Sequence, residues 1–115
     1  MRRILLTALL LTGASSPAGA HAMLEHASPG AGAVLRVTPK SVVLDLSEAL
    51  EPAFSSVSVS DAAGRDVSAA RMVVSGDTMS IALKPLVPGA YRVTWHAVSV
   101  DTHRTQGSYT FVVKP

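Results

Sequence analysis

Strict alternation of apolar and polar residues runs through this chain, and it constrains the fold more than any other feature. Tyr91, Val93, Trp95 and Ala97 occupy every second position, with Arg92, Thr94, His96 and Val98 between them. Val42, Leu44 and Leu46 alternate with Val43, Asp45 and Ser47, and Val57 and Val59 with Ser56, Ser58 and Ser60. Near the end, Tyr109, Phe111 and Val113 share one face. A period of two puts successive side chains on opposite faces of a strand, so each of these segments has one face for a core and one for water. Two short strands, Arg71–Val74 and Met79–Leu83, flank a Ser75-Gly76-Asp77 turn and form a hairpin. Ser47–Phe54 has room for one helical turn, but Pro52 prevents a long helix. About seven short strands with regular turn signals predict an all-β fold, an antiparallel β-sandwich.

The ends of the chain set its destination. Arg2-Arg3, the apolar run Ile4–Thr12 and the small-x-small triplet Ala18-Gly19-Ala20 make a secretory signal peptide over residues 1–20. The apolar run is too short to span a bilayer, which takes about 20 residues. The mature domain is then 21–115, exported, with no membrane-spanning segment of its own. Of ten basic residues, Arg2 and Arg3 leave with the leader, so eight basic residues face eight acidic ones. A neutral domain has no basic stripe for nucleic acid. The chain has no cysteine, which excludes disulfide staples, thiolate zinc sites and cysteine nucleophiles.

The packing roles of two aromatics follow from the same alternation. Trp95 sits in register with Tyr91 and Val93, which predicts a core position rather than a ligand-stacking one. Tyr91 follows Pro88-Gly89 and has the placing of a sandwich corner tyrosine, whose hydroxyl ties back to nearby backbone.

Cleavage after Ala20 bares the α-amine of His21 beside its own imidazole. The amine and Nδ1 can close a six-membered chelate ring on one metal ion. Asp101 and His103, two residues apart, share a face if the backbone there is extended. Two nitrogens from His21, the His103 imidazole and the Asp101 carboxylate make a nitrogen-rich tetragonal set. Such a set suits Cu(II), whereas Zn(II) prefers tetrahedral placement. Binding requires the amine and imidazoles to be deprotonated, so affinity falls in acid. The competing reading of the same residues is a solvated aspartate beside a surface histidine. His26 and His96 match no ligand position, and His96 lies on the face opposite Trp95.

These residues fall in a recognisable frame. It comprises His21-Ala-x-Leu24 with Ser28-Pro29, Leu46-Ser47-Glu48, and Pro85-Leu-x-Pro-Gly89-x-Tyr91-x-Val93-x-Trp95. It continues with Val98-Ser99-x-Asp101-x-His103 and Gly107-x-Tyr-x-Phe111. In this order and over essentially the whole mature chain, the sequence resembles the CopC family of periplasmic copper-resistance proteins. The resemblance implies a Greek-key β-sandwich of cupredoxin-like or immunoglobulin-like shape. It also implies a Cu(II) site and a non-catalytic role in copper tolerance or delivery. His21, Asp101 and His103 match the family's copper ligands. Glu48 matches an acidic residue at or near the copper, placed to accept a hydrogen bond from the terminal amine. As partner, the resemblance implies a CopD-type inner-membrane copper-uptake protein. Some members carry a methionine-rich Cu(I) loop. Here Met23, Met72 and Met79 form no Met-x-x-Met cluster, so no separate Cu(I) site is expected.

Two other functions use the same features. An N-terminal histidine with a second histidine also forms the copper brace of oxidative polysaccharide-cleaving enzymes. Against that reading, the domain is small, lacks an aromatic surface row, and puts a carboxylate where oxygen chemistry needs an open position. A metal-free sandwich used for protein contacts is the third, and under it Asp101 and His103 are dispensable for metal binding.

Overall fold

A computed structural model describes residues 23–115. Its strands are β1 (Leu24–Ser28), β2 (Val34–Leu35), β3 (Ser41–Leu46), β4 (Ser56–Asp61), β5 (Val73–Ser75), β6 (Thr78–Ala82), β7 (Gly89–Val98) and β8 (Arg104–Val113). They form two four-stranded sheets, ordered β1-β3-β6-β5 and β2-β8-β7-β4. The chain leaves one sheet for the other after β1, β2, β3, β4 and β6, which gives the crossed connections of a Greek-key sandwich.

Alternation in the sequence becomes alternation in burial. Val42, Leu44, Leu46, Met79 and Ile81 point inward from the first sheet. They meet Val57, Val59, Tyr91, Val93, Trp95, Ala97, Phe111 and Val113 of the second. The Tyr91 and Phe111 rings stack with centroids 5.5 Å apart. Trp95 is a core residue, 6% exposed, and His96 lies outside. Directly across the β7–β8 ladder from Trp95 is Gly107. A Cβ there would lie 2.9 Å from Trp95 Cζ2, so glycine is what lets the indole lie flat against the neighbouring strand. Tyr91 ties its corner as the sequence indicates. Its hydroxyl donates to the Val87 carbonyl at 2.5 Å and accepts from the Val87 N–H at 3.1 Å.

Three details differ from the sequence reading. An eighth strand, β2, is present, and it pairs parallel with β8 through Val34↔Val112 and Leu35↔Val113. Two residues carry too little pattern to reveal a strand, and the pairing is supplied from the far end of the chain. The hairpin begins later than expected, at Val73, and closes on Gly76-Asp77 alone, since Ser75 still pairs with Thr78. Gly76 has φ +61°, the left-handed geometry such a two-residue turn demands. The helical turn is confined to a single 3-10 turn at Pro52–Phe54. The leader assigned to 1–20 and His21 both lie outside the described residues. Among the described residues no helix is long and apolar enough to cross a membrane.

Candidate metal centre

The end of the sandwich where β7 turns into β8 carries Asp101 and His103. Residues 99–103 make a tight turn: the Ser99 N–H donates to the His103 carbonyl at 2.9 Å, and the Thr102 N–H to the Ser99 carbonyl at 2.8 Å. Thr102 carries φ +73°, a left-handed conformation rarely adopted by a β-branched residue. Backbone strain of this kind concentrates at functional sites. It stands between Asp101 and His103 and reverses the chain there.

Asp101 and His103 do come together. His103 Nδ1 lies 3.1 Å from Asp101 Oδ1. The reason differs from the one inferred from spacing: the pair lies on a turn, not on an extended strand, and the turn brings the two side chains into contact. Both are about half exposed, 49% and 48%. The Ser99 hydroxyl also donates to Asp101 Oδ1. That hydrogen bond, and after it the contact with His103, hold the Asp101 carboxyl well below the usual carboxylate range. Asp101 is therefore an anion at neutral pH.

The turn is fastened to the loop that follows β3. Leu50 bridges to Ser99, the Val100 N–H donates to the Ala49 carbonyl at 3.0 Å, and the Glu51 N–H to the Val98 carbonyl at 2.8 Å. The same loop holds the first described residue. The Met23 N–H donates to Ser47 Oγ at 2.8 Å, and the Ser47 N–H returns a bond to the Met23 carbonyl at 2.8 Å. Glu48, partly buried, lies between these two fastenings. Among the described residues no group of three His, Asp or Glu side chains is placed to hold a metal ion; the structure joins Asp101 and His103 as a pair.

His26 is exposed on β1 and His96 on the outer face of β7. His96 lines a groove of about 430 Å³ with Phe54, Ser56, Arg104 and Gln106. Sequence reasoning missed Ser99. It falls inside the Ser99-x-Asp101-x-His103 segment, and a serine two residues before an aspartate in a turn is a signal for side-chain-to-backbone bonding.

Comparison with known proteins places this geometry. The model of the CopC domain matches residues 24–114. Protein YobA of Escherichia coli K12 is 35% identical over 112 aligned positions, covering 93% of this chain and 90% of that one. Copper resistance protein C of Escherichia coli is 33% identical over 124 aligned positions, covering 99% and 98%. Among solved structures, CopC from Methylosinus trichosporium OB3b superposes with a TM-score of 0.76 at 32% identity, over 83% of this chain and 95% of that one. PcoC, a methionine-rich copper resistance protein from Escherichia coli, gives 0.71 at 35% identity, over 83% and 100%.

Proposed function

The chain belongs to the CopC family, and from that premise we propose that it is a periplasmic Cu(II)-binding protein that sequesters or delivers copper. Copper binding in homeostasis and resistance is the family-level function, and it is a binding role rather than an enzymatic one. The ligands are the α-amine and imidazole of His21, the imidazole of His103 and the carboxylate of Asp101, with Glu48 beside the amine. Residues 1–20 act as a signal peptide whose removal creates the amine. A CopD-type inner-membrane protein is the partner to which such a carrier hands its copper.

One observation carries this reading: the Asp101–His103 pair and the start of the described chain are fastened to the same loop, Ser47–Glu51. His21 precedes Met23 by two residues, a reach of about 7 Å. That reach starts at the end of the sandwich where the pair sits. Chemistry supports it further. When His103 Nδ1 keeps its proton for Asp101 Oδ1, the lone pair is on Nε2, and that nitrogen bonds to copper. With Oδ1 already accepting from Ser99 and His103, Oδ2 is the carboxylate oxygen for the metal. An anionic Asp101 also offsets the charge of Cu(II). In acid, protonation of the imidazoles and amine competes with copper and releases it.

The test is titration of the processed chain with Cu(II), followed by electron paramagnetic resonance. One ion per chain with nitrogen hyperfine structure supports the proposal, and no binding at neutral pH refutes it. Oxidised sugars released from polysaccharide by the copper form with reductant would instead favour the oxidative enzyme.

A further inference from the structure

Ser99 is fully buried, while the two side chains it serves are half exposed. A serine hydroxyl has one proton to donate and two lone pairs to accept with. Here the proton goes to Asp101 Oδ1, and one lone pair receives the His103 N–H at 3.2 Å. The His103 carbonyl also lies 3.4 Å from the hydroxyl, but a carboxylate is the stronger acceptor and takes the proton. That carbonyl is satisfied by the Ser99 N–H instead, at 2.9 Å. The result is a closed circuit. Ser99 grips the Asp101 side chain and both polar groups of the His103 backbone, and Asp101 Oδ1 in turn meets the His103 ring at 3.1 Å.

An exposed carboxylate–imidazole contact alone orders little, because solvent screens it and both side chains have rotamers to lose. The buried hydroxyl is the fixed point. Its own position is set by the Leu50–Ser99 bridge and by the Val98–Glu51 bond, which tie the base of the turn into the sandwich.

We propose that Ser99 is a positioning residue of the copper site, whose buried hydroxyl holds the Asp101 carboxylate, and through it the His103 ring, in the ligating arrangement before the metal arrives. The inference rests on the copper reading above and adds to it a residue that never touches the metal. Its effect runs through Asp101, which separates it from a serine that merely closes a turn.

The experiment measures Cu(II) dissociation constants and electron paramagnetic spectra for the processed chain, Ser99→Ala, Asp101→Ala and the double variant. Losing an outer partner of a metal ligand typically costs about 10–100-fold in affinity. Ser99→Ala is expected to weaken Cu(II) binding within that range and to alter the nitrogen hyperfine pattern. In the Asp101→Ala background the same change is expected to alter affinity less than about threefold, because coupled residues are non-additive. Equal weakening in both backgrounds, or an unchanged affinity and spectrum in Ser99→Ala, overturns the proposal. A wild-type chain that binds no Cu(II) overturns the copper reading itself, which is a different result. If Ser99→Ala does not fold, backbone order parameters of the copper-free wild type decide. Residues 100–103 as rigid as the strands, near 0.85, support positioning, and values below about 0.6 refute it.

Discussion

Replacing Gly107 by alanine tests whether the sheet that carries the 99–103 turn is built as described. The added Cβ would lie 2.9 Å from Trp95 Cζ2, 3.1 Å from Cε2 and 3.3 Å from Nε1. Carbon atoms pack best at about 3.5–4.0 Å, so the indole must withdraw by roughly 0.6–1.1 Å. It has little room to do so, since Trp95 is 6% exposed and Val57 faces it across the β4–β7 ladder. Overpacking of this kind costs about 1–3 kcal/mol. Lower entropy of the unfolded chain returns about 0.4–1 kcal/mol on replacing a glycine. The mid-range net loss is about 1.3 kcal/mol, or a fall in Tm of roughly 5–10 °C for a domain of this size. Thermal unfolding of the copper-free chain followed by circular dichroism reads it. Gly30→Ala is the control: its Cβ would meet only the Ala27 carbonyl, at an ordinary 3.5 Å, and Tm is expected to hold or to rise by a few degrees. In a Trp95→Phe background, where the three crowding atoms are gone, Gly107→Ala is expected to cost less than about 0.5 kcal/mol. An unchanged or raised Tm for Gly107→Ala alone would refute the Trp95–Gly107 register.

Tyr91→Phe removes both bonds to Val87 and is expected to lower stability by about 1–2 kcal/mol in urea unfolding, with the slope of the transition unchanged. Burial pushes the Tyr109 phenol up to about 12, above its unfolded value near 10. Between those values the folded chain holds a proton the unfolded chain has lost, so this contribution is full below about pH 10 and fades as pH rises through 12. An ultraviolet phenolate titration in which Tyr109→Phe removes a transition near pH 12 checks it. His103→Ala is expected to weaken Cu(II) binding by more than about tenfold, while His96→Ala, on the outer face of β7, leaves the affinity of the wild type.

Wherever one face of a strand is buried, its pattern is written locally, and the sequence was legible there. Val42, Leu44 and Leu46 in β3, Val57 and Val59 in β4, and Tyr91 through Ala97 in β7 all bury the predicted face. Gly107 is visible in the sequence only as a glycine; its necessity comes from an indole on the adjacent strand. β2 was not legible, because Val34 and Leu35 become a strand only by pairing with Val112 and Val113. At the 99–103 turn, spacing suggested that Asp101 and His103 share a face, and they do meet. The means were hidden, since a threonine at φ +73° and a buried serine hydroxyl are products of the closed turn. Ser99 is buried in a turn whose base pairs with Leu50, far away in sequence, which no local pattern records.

The proposed copper site depends most on the α-amine that cleavage after Ala20 would expose on His21. The direct measurement compares Cu(II) affinity of the processed chain beginning at His21 with that of the same chain selectively acetylated on the His21 α-amine. Acetylation removes one donor and leaves the imidazole, Asp101 and His103 in place. The predicted result is one tightly bound Cu(II) in the free-amine chain and binding weaker by more than about tenfold in the acetylated one. Equal affinity in the two chains would contradict the claim that the exposed amine is part of the site.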